Sequence, residues 1–124
     1  MAELTRKDVI LILGMGGANP RFAGVDLSDL DLEYFDFRGA NLTKANLTKV
    51  NLSHANLSRA NLREADLRWA KLSYANLSEA DLSGADLSGA DLNGADLRQA
   101  ILERADLGRA ILKGAIMPDG TRHV

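Results

Sequence analysis

Apolar positions recur every five residues along most of the chain. Phe22, Leu27, Leu32 and Phe37 open a series of twenty consecutive apolar centres that closes at Leu102, Leu107, Leu112 and Met117 without a slip. Two residues before each centre stands a second apolar residue: Ala at every such place from Ala40 to Ala115 except Val50, with Val25, Leu30 and Phe35 earlier. A period of five fits neither 3.6 nor 2, so neither a long helix nor a plain strand holds this stripe on one face. A path that turns a corner every five residues does hold it inside. The centre and the small residue two before it then point inward, the other three positions face out, and residue n + 20 lies above residue n. Stacking at about 4.8 Å per layer pairs backbone groups that a lone coil would leave open. Twenty pentapeptides predict about five coils, a rod ~24 Å long. Ala is required because four sides converge on an interior too narrow for eight large side chains per layer.

The unit reads A-[DN]-L-[STR]-x, almost without variation in GADLSGADLNGADL from Gly84 to Leu97. This pattern resembles the pentapeptide repeat family over Pro20 to Met117. The resemblance implies an all-β solenoid, a right-handed quadrilateral β-helix. It divides the chain into an N-terminal capping segment (1–19), the β-helix (20–117) and a C-terminal tail (118–124). Phe22 and Phe37 replace Leu at centres, while Leu30, Phe35 and Val50 enlarge the usual Ala place, so the first coil is expected to be wider than the others.

An uncovered first coil would expose unpaired backbone. Thr5-Arg6-Lys7-Asp8 has capping-box spacing, Val9 to Leu13 are apolar, and Gly14 suits a helix stop. A short helix from about Arg6 to Leu13 is therefore expected to lay its apolar side on Phe22, Leu27 and Leu32. The apolar run followed by Gly14, Gly16 and Gly17 also has the look of a phosphate loop. That motif needs a helix and a βαβ unit next, and here Pro20 and the repeats follow. Five apolar residues are too few for a signal-peptide core or a membrane span, which points to a cytoplasmic protein without membrane contact.

Composition agrees with one domain. The 124 residues are 46% apolar but only 5% aromatic, so the core is built from small regular pieces. There is no cysteine, hence no thiol nucleophile or disulfide framework. Asp81, Asp86, Asp91 and Asp96 form a carboxylate cluster only on paper, because consecutive repeats face four directions. Asp66, Asp86 and Asp106 do stack, as a solvated ladder. A convex rod offers no deep pocket in which to desolvate a base. No catalytic residue, metal or cofactor is expected.

Function is therefore sought on the outer surface. The net charge of −2 names no partner class. Its distribution is uneven: from Arg38 to Lys71 seven cations face two acids, and from Ala75 to Asp96 there are five acids and no cation. Stacking by twenty aligns Tyr34, His54 and Tyr74 on one outer edge with Trp69 on the next, and Arg68 and Lys71 stand close by. Such aromatics mark binding surfaces. The expected function is a non-catalytic scaffold or protein-interaction module with a protein partner. Family resemblance adds an alternative, mimicry of duplex DNA towards DNA gyrase, which the near-neutral charge weakens; nucleic acid itself is not an expected partner.

In the last coil the place before each centre, held through the middle coils by Asn, Asp or one Lys, becomes Ile101, Asp106, Ile111 and Ile116. Three isoleucines facing water are costly, each worth about 1.5–3 kcal/mol if buried. Pro118-Asp119-Gly120 reads as a turn that lets the tail shield one face. Another domain of a longer chain or a second rod could cover the others; the family resemblance implies pairing through C-terminal coils, so a homodimer there is expected.

Overall fold

The computed structural model describes residues 4–15 and 19–124. Residues 20–117 form a right-handed quadrilateral β-helix. Sixteen parallel backbone bridges run from Arg21↔Asn41 to Asp96↔Ile116, each joining residues twenty apart. Each side of the square contributes one bridged residue per layer and then turns.

The turn explains the polar letters of the repeat. In each pentapeptide the Ala N–H closes on the carbonyl of the preceding centre, as in Ala45 N to Leu42 O at 3.0 Å. The residue two after the centre has positive φ from Gly24 at 68° to Gly114 at 75°, the sign pattern of a type II turn. Most of these corners are not glycine, and a left-handed conformation costs about 1–2 kcal/mol at each. The rest of the unit holds them in place. The Asn or Asp before the centre accepts the N–H of the residue after it, as in Thr43 N to Asn41 Oδ1 at 3.1 Å. In several repeats a Ser or Thr there also donates its hydroxyl to the same oxygen, 2.7 Å for Thr43. The corner N–H then donates to the next coil, as in Lys44 N to Arg63 O at 2.9 Å.

Inside, Leu42 to Leu97 and the alanines from Ala40 to Ala95 are all sealed from solvent, with Val50 accommodated among them. The first coil carries the aromatics. Phe22 and Phe37 meet edge to face at 5.6 Å, and Phe35, half-buried, lies 6.1 Å from Phe37.

Helix α1 spans Arg6–Gly14, one residue further than the sequence predicts, with Met15 as C-cap. Its capping box is present in full: Thr5 Oγ1 accepts from Asp8 N at 3.2 Å and Thr5 N donates to Asp8 Oδ2 at 2.9 Å. Val9 is buried, Leu4, Ile12 and Leu13 pack half-buried against the core, and the Arg6 guanidinium lies 5.0 Å above the Phe35 ring. Gly16 and Gly17 of the glycine run lie outside the described residues. No helix is long and apolar enough to cross a membrane among the described residues.

At the other end the tail turns back. Ile116 bridges Arg122 antiparallel, Gly114 N donates to His123 O, His123 N to Ala115 O, and Met117 N to Thr121 O, each of these three bonds at 2.7 Å. The Arg122 guanidinium reaches Gly114 O at 3.0 Å. One side of the last coil is thus paired. On the other three, the N–H groups of Leu102, Arg104, Leu107, Arg109 and Leu112, whose counterparts in earlier coils point to the next layer, meet no backbone acceptor among the described residues.

Candidate interaction surface

Positive-φ corners push side chains outward at the edges of the rod, and there the aromatics gather. Tyr34, His54 and Tyr74 occupy one edge in three successive coils. Their rings stack, with centroids 4.8 Å apart at 11° for Tyr34 and His54, and 5.3 Å apart at 14° for His54 and Tyr74. Trp69 occupies the preceding edge of the third coil. Tyr34, Trp69 and Tyr74 are 69%, 55% and 58% exposed, far beyond what rings show when they merely fill a core.

Two glycines shape this patch, and the sequence reading passed over them. A Cβ built on Gly89 would stand 2.5 Å from Trp69 Cζ3, and one on Gly94 would stand 2.5 Å from Tyr74 Cε1. Each ring therefore lies on the bare backbone of the next coil. The signal available in the sequence was a glycine twenty residues after an aromatic corner.

Between these edges lies the side of the rod that carries Leu52, Leu72 and Leu92, here the Leu72 face. Its outward residues include Asn51, Lys71, Asp91, Ser73 and Asn93, and Ser73 Oγ meets Ser53 Oγ at 3.2 Å. The face is shallow and polar, framed by Trp69 on one side and the stacked column on the other.

The charge pattern differs from its linear reading. The basic stretch and the acidic stretch are not separate parts of the rod, because an offset near twenty lays one upon the other. Lys44 pairs with Glu64 at 3.9 Å, Arg59 with Glu79 at 3.2 Å and Arg63 with Asp81 at 3.4 Å, all between neighbouring coils. Arg68 grips Asp66 at 2.7 Å within its own repeat and reaches Asp86 at 3.9 Å in the next coil. Arg38 and Arg98 fork onto Asp36 and Asp96 in the same way, at 2.9 and 2.7 Å. These guanidinium bonds hold the carboxyls of Asp36, Asp66 and Asp96 below the usual range. Arg68, a predicted patch residue, is therefore engaged with carboxylates.

Among the described residues no group of three or more His, Asp or Glu side chains is gathered to hold a metal ion. The stacked Asp86 instead accepts the Ser88 hydroxyl and backbone N–H.

The predicted dimer residues sit at the open rim. Ile101 and Ile111 are 44% and 52% exposed, whereas Ile116, under the returning tail, is half-buried. Leu102, Leu107 and Leu112, unlike the centres of the middle coils, are only half-buried.

Comparison with known proteins accounts for this architecture. Pentapeptide repeats match residues 21–59, 60–99 and 90–119, eight copies in all. The chain belongs to the pentapeptide repeat family. Among solved structures it is similar to HetL, a pentapeptide repeat protein involved in heterocyst differentiation regulation from the cyanobacterium Nostoc sp. strain PCC 7120. The identity is 41% and the TM-score 0.81 over 86% of this chain and 51% of HetL, so the chain spans about half of HetL's length. It is also similar to Rfr23 from the cyanobacterium Cyanothece 51142, with 39% identity and a TM-score of 0.65 over 90% of this chain and 69% of that one. QnrB1, a plasmid-mediated fluoroquinolone resistance protein, shares the fold at 21% identity and a TM-score of 0.50, over 78% of this chain and 60% of QnrB1. No curated protein sequence matches the chain.

Proposed function

We propose that this pentapeptide repeat protein is a non-catalytic interaction module that binds a protein partner through the Leu72 face. The observation that carries this reading is the exposed aromatic frame, Trp69 laid on the Gly89 backbone at one edge and Tyr34–His54–Tyr74 stacked ring on ring at the other. Rigid aromatics lose little entropy on contact and dominate protein interfaces. Lys71 lies between the two edges and Arg68 beside the first. Affinity capture of interacting proteins by the purified chain should depend on this frame. Trp69→Ala with Tyr74→Ala should abolish capture of any specific partner, and unchanged capture by a folded double variant rejects the reading.

Duplex mimicry is not favoured. It needs an acidic surface along much of the rod, and the cross-coil pairs Lys44–Glu64, Arg59–Glu79 and Arg63–Asp81 neutralise much of what would supply it.

The same module is proposed to pair with a second copy at its C-terminal rim. Ile101, Ile111, half-buried leucine centres and unpaired N–H donors meet there, while α1 covers the opposite end. One open end supports a closed twofold pair, whereas two open ends would support a fibre. Ile116 contributes less than its neighbours because the tail already covers it.

A further inference from the structure

Seven cations lie between Arg38 and Lys71, and five of them are in ion pairs: Arg38, Lys44, Arg59, Arg63 and Arg68. The remaining two, Lys49 and Lys71, are exposed and have no carboxylate within 4.0 Å among the described residues. Both flank Trp69. Lys49 is the corner directly before it in the stack, and Lys71 follows it by two residues on the Leu72 face. Neither ammonium lies over a ring, since the indole leans the other way, onto Gly89. Every other cation of the middle coils, Arg68 beside Trp69 included, is matched by a carboxylate; these two are not.

The surroundings limit what these two charges can attract. Asp29, Asp31 and Glu33 border the patch towards the N-terminus, and Asp91 borders Lys71 on the other side. A polyphosphate carries a charge at every nucleotide and would meet those acids after two favourable contacts. A run of bases would also find only separate ring faces, those of Trp69 and Tyr34 on different edges, because His54 is covered on both faces by its neighbours and Tyr74 lies between His54 and Gly94. A short polypeptide can place carboxylates only where the lysines are and apolar side chains against the exposed ring edges.

We propose, building on the interaction reading above, that the Leu72 face receives a short acidic, extended segment of its protein partner. Carboxylates of the segment meet Lys49 and Lys71, and its apolar side chains lie against Trp69 and Tyr74. Charge complementarity is the selective element, the aromatics the anchor.

Trp69 is the only tryptophan in the chain, so its emission reports on this surface directly. The probe is the seven-residue peptide Glu-Ser-Glu-Ser-Leu-Ser-Leu, whose alternate positions share one face when extended, so that two carboxylates and two apolar side chains meet the rod together. Titration to millimolar concentration should shift or quench Trp69 emission saturably. Binding should weaken about tenfold in Lys49→Met with Lys71→Met, the loss expected for two exposed charge contacts, and should weaken similarly at 1 M salt. The Met pair keeps the side-chain stems and so the fold, to be checked by an unchanged melting temperature. No response, an equal response to the Lys/Leu counterpart peptide, or equal affinity of the double Met variant overturns the proposal. Tighter binding of oligothymidylate than of the acidic peptide overturns it in favour of a nucleic-acid surface. Failure here is distinct from failure of the interaction reading: capture lost with Trp69→Ala and Tyr74→Ala but kept with the Met pair would leave that reading standing and remove only the acidic partner.

Discussion

The indole of Trp69 rests on Gly89, filling the space where any other residue would carry its Cβ. Gly84 provides the matched control, with φ of +69° against +71° at Gly89 but nothing nearer its missing Cβ than the Cγ of Glu64 at 3.4 Å. Alanine at either corner meets the left-handed backbone cost of about 1–2 kcal/mol. Only Gly89→Ala must also displace a ring. It should lower the melting temperature more than Gly84→Ala and move Trp69 emission to the red as the indole is pushed into water. Equal melting temperatures with unchanged emission would show that the ring does not lie there.

The interior is tested at Leu62, fully buried in the third coil. Leu62→Ala should destabilise by about 2–5 kcal/mol, since the close-packed layers above and below prevent collapse. Because each coil is supported only by its neighbours, the loss in the middle should also broaden the unfolding transition. Lys113→Ala, on the outside of the last coil, is the comparison. Calorimetry showing similar losses for the two would contradict the assignment of inward positions.

Acid should weaken the fold through the Asp–Arg forks. Asp36, Asp66 and Asp96 are held below the ordinary carboxylate range, first by hydrogen bonds from Arg38, Arg68 and Arg98. A depressed native value means that the unfolded chain takes up protons first. Stability from these forks is therefore complete above about pH 5 and lost as pH falls through the native values. Arg98→Gln should raise the Asp96 titration seen by carboxyl NMR and lower the melting temperature at pH 7. The difference from the parent protein should close near pH 2. A difference that grows with acid would reverse the sign of the linkage.

Dimerisation is open to a direct measurement. Sedimentation at tens of micromolar should give about twice the 13.4 kDa chain mass, and Ile101→Asp with Ile111→Asp should return the protein to a monomer with its fold intact. Ile116→Asp should have less effect, because the tail strand at Arg122 already pairs there. A monomer before substitution ends the proposal.

Capping-box spacing was enough to place a helix at Thr5, and the period of five to place Leu62 and its counterparts inside and Tyr34, His54 and Tyr74 in one column. These follow from local rules, the second repeated without interruption. The pairing of Arg59 with Glu79 was equally present in the numbering, yet charges read along the chain, instead of every twenty residues, suggested a basic part and an acidic part. Two features lay beyond pattern. Glycines twenty residues after Trp69 and Tyr74 mark room for the rings, but that the rings lean there depends on rotamers, which a repeat does not specify. The antiparallel return of His123 onto Ala115 depends on how far the chain travels after Pro118, where the five-residue rule has stopped. Pro118 itself fits the missing acceptor before it: Ile116 has no side-chain oxygen to receive the next N–H, and proline has none to offer.

A corner every fifth residue also makes the rod a dial. Adding or removing five residues inside residues 20–117 turns everything beyond that point by a quarter revolution relative to α1. Twenty residues change the length by one layer, about 4.8 Å, and leave the bearing unchanged. The aromatic frame and the C-terminal rim can thus be aimed independently of their composition, by counting alone. A duplication of one pentapeptide between Tyr74 and Ile101 would preserve the core and the rim but point the rim's open side in a new direction. In such a chain, orientation is inherited through length.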